Sequence, residues 1–143
     1  MKDFIAIDFE TANPQRVSAC AIGYARISDH KMIETNGYLI KPIGGHAPFQ
    51  SKIHGIKNEH TFDKPNFGEL FPNIKDIFNY PLVAHSLFDK QVLTALSEYF
   101  NLGLKFNSTQ TLSCNYTTLL GNILSVGSMC HFLKHNDIAG LGN

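Results

Sequence analysis

The feature that most constrains the fold is the unbroken apolar run Phe4-Ile5-Ala6-Ile7, which leads directly into two acidic residues, Asp8 and Glu10. A strand that lacks alternation of apolar and polar residues is buried on both faces, so we predict a strand over residues 2–8 in the middle of a sheet. Because side chains along a strand alternate between faces, Asp8 and Glu10 should lie on the same face. The pattern therefore predicts a buried strand that ends in two converging carboxylates.

Three further extended runs predict the rest of a sheet. Residues 17–28 and 32–41 are joined by a short polar segment, which predicts an antiparallel hairpin. Residues 82–84 are a short apolar run that is typical of a buried strand. We therefore expect three sequential antiparallel strands, followed later in the chain by a buried strand.

Two apolar stripes predict helices. Apolar residues recur at helical spacing over 67–78, although Pro72 is tolerated only near a first turn and leaves the start of this helix open. A second stripe over 92–100 predicts another helix, which Asn101 and Gly103 should end. The two helices should pack their apolar faces against the sheet.

The remaining segments give weaker signals. Residues 42–65 are expected to be irregular, and a loop of this length in a small domain is usually functional or disordered. Residues 116–120 and 126–133 are expected to form short helices. No linker or internal repeat divides the chain, so we predict one domain.

Composition excludes several classes of protein. The chain has 143 residues, of which 43% are hydrophobic and 17% charged, as in a soluble globular domain, and no apolar run is long enough to span a bilayer. Without a signal-peptide core at the start, a cytoplasmic protein is expected. Twelve basic residues balance twelve acidic ones, so contacts with nucleic acid should be short and local. The cysteines, Cys20, Cys114 and Cys130, lack the spacing of a zinc site and are expected to be buried thiols.

The acidic pair at the end of the first strand has two interpretations. Mg²⁺ and Mn²⁺ prefer oxygen ligands and bind where one or two carboxylates join substrate phosphates, so Asp8 and Glu10 are candidate metal ligands. The alternative is a strand that runs out into solvent, where acidic residues are ordinary. An Asp-x-Glu pair alone favours the second interpretation.

A third acid, Asp89, stands where the 82–84 strand gives way to a helix. Ser86 and Asp89 fit a capping box, in which Ser86 caps the helix and Asp89 reaches back to a backbone amide. Asp89 also precedes Val92 and Leu93 at helical spacing, which predicts an inward position, where a carboxylate needs a partner such as a metal. Capping and metal binding are equally open on this evidence.

Taken together, three segments resemble motifs of the DnaQ-like (DEDD) superfamily of 3′-5′ exonucleases. Ile5-Ala6-Ile7-Asp8-Phe9-Glu10-Thr11-Ala12 resembles the first motif, and Val83-Ala84-His85-Ser86-Leu87-Phe88-Asp89 resembles the second. Ile53-His54-Gly55-Ile56 resembles the His-Gly-Ile loop of the same family. The order and spacing agree over most of the first hundred residues, which is far more specific than any one motif.

The resemblance implies a ribonuclease-H-like α/β fold over residues 1–143. Its mixed sheet would have five strands, the first three antiparallel and the next two parallel to the first, with helices on both faces. It also implies a metal-dependent 3′-5′ exonuclease that hydrolyses single-stranded DNA or RNA from the 3′ end and releases nucleoside 5′-monophosphates. By analogy a DNA polymerase subunit is suggested as a partner.

The same resemblance assigns the site residues. Asp8, Glu10 and Asp89 would be the catalytic residues and would hold two Mg²⁺ or Mn²⁺ ions. The residues that would border the terminal nucleotide are Phe9, Thr11, Ala12, His54, Ile56, His85 and Phe88. Ser86 stands where the family often has Asn, which leaves a polar contact at that position open.

The third motif of the family, a His and an Asp separated by four residues, has no match. His131 is followed at that distance by Asn136, with Asp137 one place beyond, and His135 would need an acid at Gly140. One residue along a helix turns a side chain by about 100°, so His131 and Asp137 cannot replace the pair.

A different alignment accounts for more of this region. Residues 126–133 resemble the helix that precedes the third motif, and residues 138–143 resemble the loop that leads into it. We therefore expect a domain that lacks its C-terminal helix, its general base and one metal ligand. Apolar surface left near the first strand would then favour self-association.

Three functions follow from these observations. The first is the exonuclease, and the second is a catalytically inactive nucleic-acid-binding or polymerase-associated domain of the same fold, which the missing third motif favours. The third, an endonuclease of the broader ribonuclease-H group, is less well supported because the His-Gly-Ile loop belongs to the exonuclease pattern.

Overall fold

A mixed sheet lies at the centre of the protein, whose computed structural model describes residues 3–29, 31–84 and 86–105. Its strands are β1 (Phe4–Thr11), β2 (Ala19–Ser28), β3 (Lys31–Leu39) and β4 (Leu82–Val83), in the spatial order β3-β2-β1-β4. β1 and β2 are antiparallel, as are β2 and β3, whereas β4 is parallel to β1. The predicted α/β class, the central first strand and the antiparallel hairpin are confirmed.

Two parts of the prediction, the fifth strand and the C-terminal segments, are not covered by the strands given above. The described part of the chain contains four of the five predicted strands. The helices predicted over 116–120 and 126–133 fall outside the described residues, as do His131, His135 and the segment assigned to the third motif. The expectation of an incomplete C-terminus therefore stays a prediction.

Five helical segments accompany the sheet among the residues that the structure describes. They are α1 (Pro48–His54), α2 (Asn58–Thr61), α3 (Phe67–Ile74), a 3₁₀ helix (Lys75–Asn79) and α4 (Leu87–Tyr99). None of the helices within the described ranges is both long enough and apolar enough to cross a membrane.

One face of β1 forms the main core with α3 and α4. Odd-numbered residues of β1 point to this face, as the alternation along a strand requires. The side chains that meet there are Ile5, Ile7 and Phe9 of β1, Phe67, Leu70 and Ile74 of α3, and Val92, Leu93 and Leu96 of α4. The predicted inward stripe is confirmed for Val92, Leu93 and Leu96 but was wrong for Tyr99, which is 59% exposed. Asn101 and Gly103 follow α4 with left-handed φ angles of 54° and 68°.

The prediction for residues 42–65 was wrong in one respect, because this segment contains α1 and α2. Helices this short are marginal on their own, so their stability must come from contacts with the rest of the protein. Pro48 begins α1, and Gly55, with a φ of 77°, ends it. Local periodicity over seven residues was too short to indicate a helix.

The helix predicted over 67–78 is divided. α3 ends at Ile74 and continues as the 3₁₀ helix to Asn79. Pro72 lies inside α3 and not near its first turn, so the expected restriction was wrong. A proline ring crowds the carbonyl of the residue four places earlier, which here is Gly68 and has no side chain.

Candidate active site

The two acids of β1 lie at the end of the strand that β4 leaves uncovered. β1 runs to Thr11, further than predicted, so Glu10 is part of the strand. Asp8 is opposite Gly23 of β2, and Glu10 is opposite Ala21. Because directly opposed residues share a face, the neighbours of the two carboxylates on β2 are the small residues Gly23 and Ala21.

Asp89 reaches the same end of β1 from the start of α4. Its Oδ1 atom accepts a hydrogen bond from the backbone N–H of Phe9 at 2.9 Å. Phe9 stands between Asp8 and Glu10, and its nitrogen is about 2.4 Å from the Cα atom of Asp8, so the Asp89 oxygen lies within about 6 Å of that Cα atom. The structure therefore brings all three predicted acids to one edge of the sheet.

The side chains of Ser86 and Asp89 make different contacts, which distinguish the two interpretations of this segment. Ser86 is the N-cap of α4, and its hydroxyl oxygen accepts a hydrogen bond from the Phe88 N–H at 3.2 Å. The Asp89 carboxylate is buried and reaches across to strand β1. Capping by Ser86 is confirmed, while Asp89 makes a tertiary contact that a simple capping box does not require.

These carboxylates suit a hard divalent cation but do not enclose one. Asp8 and Asp89 are 8% and 3% exposed, so both carboxyl groups are buried at this end of the strand. Within residues 3–29, 31–84 and 86–105, no three His, Cys, Asp or Glu side chains are arranged so that they could hold a metal ion together. Mg²⁺ is commonly bound by one or two carboxylates with water and substrate phosphates, so the donors fit a site that the substrate completes.

His54 connects the end of β1 to the turn after α1. Its Nδ1 atom accepts a hydrogen bond from the Ile56 N–H at 3.0 Å, and its Nε2 atom lies 2.9 Å from the Thr11 carbonyl oxygen. A ring nitrogen that accepts from an N–H carries no proton, so the Nε2 atom must be the protonated one and donates to Thr11. The buried imidazole is therefore neutral and uses both nitrogens within the protein.

The start of α1 is also fastened to the end of β1. The backbone N–H of Ala47 donates to the Ala12 carbonyl at 2.7 Å. With the His54 bond to Thr11, contacts near both ends of α1 hold it against the residues that follow Glu10. Part of the segment predicted to be an irregular loop is thus a helix attached to the end of β1.

Most side chains predicted to border a nucleotide are buried. Phe9 packs in the main core, and Ile56 packs in a small cluster with Ala12 and Cys20. Thr11 and His54 are buried as well, whereas Phe88 is half-buried. His85 lies outside the described residues. Contact between these residues and a substrate stays a prediction.

A contact that the sequence did not indicate joins the loop after β1 to α4. The Arg16 guanidinium lies over the Phe88 ring, 4.7 Å from its centroid, and the Arg16 Nε–H donates to the Gln91 Oε1 atom at 3.0 Å. An arginine in a polar loop has no distinctive pattern in the sequence. The contact fixes this loop beside Asp89.

Cys20 lies beneath the site as a buried free thiol, as predicted. Burial raises the pKa of Cys20 to about 12, and the negative charge of Glu10 adds to the effect. The sulfur lies 3.9 Å from the Nε2 atom of His54. A thiol with this pKa is protonated at neutral pH and is not a nucleophile.

Comparison with known proteins identifies the class of fold. No family model and no curated protein sequence matches the chain. Solved structures do match: exonuclease I has a TM-score of 0.62 and 19% identity, over 70% of this chain and 24% of that one. Exonuclease X in complex with 5′-overhanging duplex DNA has a TM-score of 0.57 and 18% identity, over 90% of this chain and 98% of that one.

A third structure is the nuclease domain of 3′hExo, a DEDDh family member bound to rAMP, with a TM-score of 0.61 and 17% identity. That match covers 74% of this chain and 62% of the other. The chain thus has the ribonuclease-H-like α/β fold of these 3′-exonucleases. It spans about a quarter of the length of exonuclease I, and at these identities the likeness concerns the fold.

Proposed function

We propose that this chain is a metal-dependent 3′-5′ exonuclease domain that removes nucleoside 5′-monophosphates from the 3′ ends of single-stranded DNA or RNA. One observation carries the proposal: the Asp89 carboxylate is hydrogen bonded to the backbone of Phe9, between Asp8 and Glu10. A buried acidic edge of this kind is suited to divalent cations and phosphate oxygens.

Each acid has a role in the proposed mechanism. Asp8, Glu10 and Asp89 would hold the cations, which when bound activate water and stabilise the leaving 3′ oxygen. The Phe9 N–H fixes the orientation of Asp89, so this carboxylate does not need to reorganise when substrate arrives. Gly23 and Ala21, which are opposite Asp8 and Glu10, are small residues and would leave space for the scissile phosphate.

The ligands of two similar structures support a nucleotide substrate. Exonuclease X is described with 5′-overhanging duplex DNA, and the 3′hExo domain with rAMP. For this chain we extend the proposal to both DNA and RNA, because both share the phosphodiester bond on which the acids would act.

The experiment compares the chain with two variants on a 5′-labelled single strand in Mn²⁺. Asp8→Asn should reduce release of nucleoside 5′-monophosphate to background, because it removes a charged cation ligand with little change in shape. Asp76→Asn, at an exposed acid in the 3₁₀ helix, is the matched control and should act like the wild type. Chelation of the metal should stop the reaction, and undiminished turnover by Asp8→Asn would refute the site.

A second function is favoured by the sequence after the described residues. The sequence has no match to the His-x4-Asp motif, and loss of the general base that this motif would supply typically costs about 10² to 10⁴ in rate. The alternative is therefore a domain that binds nucleic acid without hydrolysis. Tight binding of a single strand with no nucleotide released over hours would support it.

The same assay addresses the expectation that the C-terminus is incomplete. A version extended through the following coding sequence, where one exists, should be compared with the chain of 143 residues. Activity restored only by the extension would mean that the chain is part of a longer enzyme. A polymerase partner and self-association stay predictions, which co-purification and sedimentation can test.

A further inference from the structure

A cavity of about 510 Å³ opens beside α1. This volume lies within the usual range for sites that bind small ligands. Its lining residues come from α1, from the segment before it and from the start of the segment that leads to α2: His46, Ala47, Pro48, Ser51, Lys52 and Lys57.

The charge of this cavity is positive. Lys52 and Lys57 contribute two cations, and none of the six described residues that line the cavity is acidic. Neither lysine forms an ion pair within the described part of the chain. Burial lowers the pKa of His46, so the lysines supply the positive charge at neutral pH. In a chain with no net charge, this local excess of cations favours an anionic ligand.

The helix beside the cavity is attached to the end of β1, which carries Asp8 and Glu10. Ala47 lines the cavity and donates its N–H to the carbonyl of Ala12, at 2.7 Å and two residues after Glu10. The bond between His54 and Thr11 holds the other end of α1 against the same strand. A strand whose 3′ end reaches Glu10 would therefore have its preceding nucleotides close to α1.

An apolar face of α1 lies next to the cavity. Phe49 and Ile53 are four residues apart, which puts them on one side of the helix, and they are 70% and 61% exposed. The cavity residues Pro48, Ser51 and Lys52 follow the adjacent side of the same helix. A basic groove beside an exposed aromatic residue is the arrangement that binds single strands without sequence preference.

We propose that α1 and its cavity bind the single strand upstream of the terminal nucleotide. Lys52 and Lys57 pair with backbone phosphates, and Phe49 stacks on a base with Ile53 beside it. The direction of the bound nucleic acid, with its 3′ end at the acidic residues, rests on the proposed function. The inference adds a second binding region, which would select a polynucleotide over a mononucleotide.

The test measures binding of labelled oligothymidylates of about 3 and about 12 nucleotides in chelator, at several salt concentrations. The double variant Lys52→Ala, Lys57→Ala should weaken binding of the longer strand about tenfold and flatten the slope of log K against log salt by about 1.4. Binding of the shorter strand should change little. Phe49→Ala should weaken binding of the longer strand about tenfold, through loss of stacking.

Matched controls remove two exposed lysines or one exposed aromatic residue elsewhere. Lys31→Ala with Lys75→Ala changes the net charge equally, and Tyr99 is a 59% exposed aromatic residue at the far end of α4. Equal affinities of the cavity variants and these controls would overturn the inference. Full competition by millimolar inorganic phosphate, with equal loss for both strand lengths, would also overturn it, because the cavity would then be a site for free phosphate.

Hydrolysis measured in parallel separates the two proposals. If the wild type releases nucleotides but the lysine and Phe49 variants bind like the controls, only the inference about α1 fails. If the lysines govern strand binding but no nucleotide is released, the exonuclease proposal fails and the inference stands. If the wild type neither binds nor hydrolyses either strand, both fail.

Discussion

Asp89, in the first turn of α4, accepts a hydrogen bond from the backbone N–H of Phe9 at 2.9 Å, across 80 positions of the sequence. The bond exists because β4 pairs only with Ile5 and Ala6, so β1 continues beyond the end of its parallel neighbour. The Phe9 N–H would otherwise be an unpaired donor at a buried edge. The Asp89 carboxylate thus accepts the hydrogen bond that β4 does not provide at this edge, and it lies beside the two acids of β1.

The first prediction separates the structural and chemical roles of Asp89. Asp89→Asn keeps an oxygen that can accept from Phe9, so its free energy of unfolding should stay within about 1 kcal/mol of the wild type. Asp89→Ala leaves the N–H unsatisfied and should cost about 1 to 3 kcal/mol. Both variants should lose metal-dependent nucleotide release. Denaturant unfolding and the exonuclease assay measure the two effects.

Ser86→Ala is the control for this experiment. It removes the N-cap bond to Phe88 and should cost about 1 kcal/mol, while the acids remain in place. Its nuclease activity should therefore stay close to that of the wild type. If Asp89→Asn kept full activity, Asp89 would be a structural residue alone.

The second prediction concerns the neutral His54 ring. Replacement by Phe keeps an apolar body but removes the partners of the Ile56 N–H and the Thr11 carbonyl, which should cost about 2 to 5 kcal/mol. Nitrogen NMR should show the proton on Nε2 in the folded wild type. An exposed, freely titrating ring, or a variant as stable as the wild type, would contradict the assignment.

The success of the sequence in predicting β1 and α4 has a local cause. The unbroken apolar run that ends at Ile7 is typical of a strand buried on both faces, and the stripe that includes Val92 and Leu93 has the period of a helix. Both patterns extend over enough residues to be recognised. The alternation along β1 was also enough to pair Asp8 with Glu10 on one face.

The features that the sequence did not predict, α1 and the bond of Asp89, depend on contacts between residues that are far apart in the sequence. α1 has seven residues and is held through Ala47 and His54, which bond to the end of β1. Nothing within residues 42–65 encodes those partners. The bond between Asp89 and Phe9 likewise depends on the point at which β4 stops, which is a property of strand register and not of the motif around Asp89.

The third prediction tests the packing of α3. A Cβ atom at Gly68 would lie 2.5 Å from the Cδ1 atom of the Phe100 ring, so the ring would have to move. Gly68→Ala should therefore destabilise the protein by about 1 to 3 kcal/mol, despite the higher helix propensity of Ala. Adding Phe100→Leu should recover part of that loss. A stabilising effect of Gly68→Ala alone would show that the ring relocates without cost.

The fourth prediction is a pH dependence at the start of β1. Hydrogen bonds from Ser28 and then Arg26 hold the pKa of Asp3 below its ordinary value of 3.8. The folded state thus favours the ionised carboxylate, so the stabilisation is present above pH 3.8 and is lost as the pH falls through the lowered pKa. Asp3→Asn should have a lower melting temperature than the wild type at pH 6, and the difference between the two proteins should shrink as the pH falls below 3.8. Asp76→Asn, at an exposed acid, is the control for removal of one carboxylate elsewhere.

The last prediction concerns Cys20. Because burial and then the charge of Glu10 raise its pKa to about 12, the folded protein should leave this thiol unmodified by iodoacetamide at pH 8, whereas urea should expose it to rapid reaction. Modification should be measured peptide by peptide, so that Cys114 and Cys130 do not contribute. A thiol whose pKa is raised on folding contributes stability below its ordinary pKa of 9.0. This contribution is lost as the pH rises above 9.0, because the unfolded thiol then ionises while the folded one does not. The stability of Cys20→Ala should consequently fall less than that of the wild type between pH 9 and pH 11, and a parallel fall in both proteins would mean that Cys20 is ionised or accessible in the folded state.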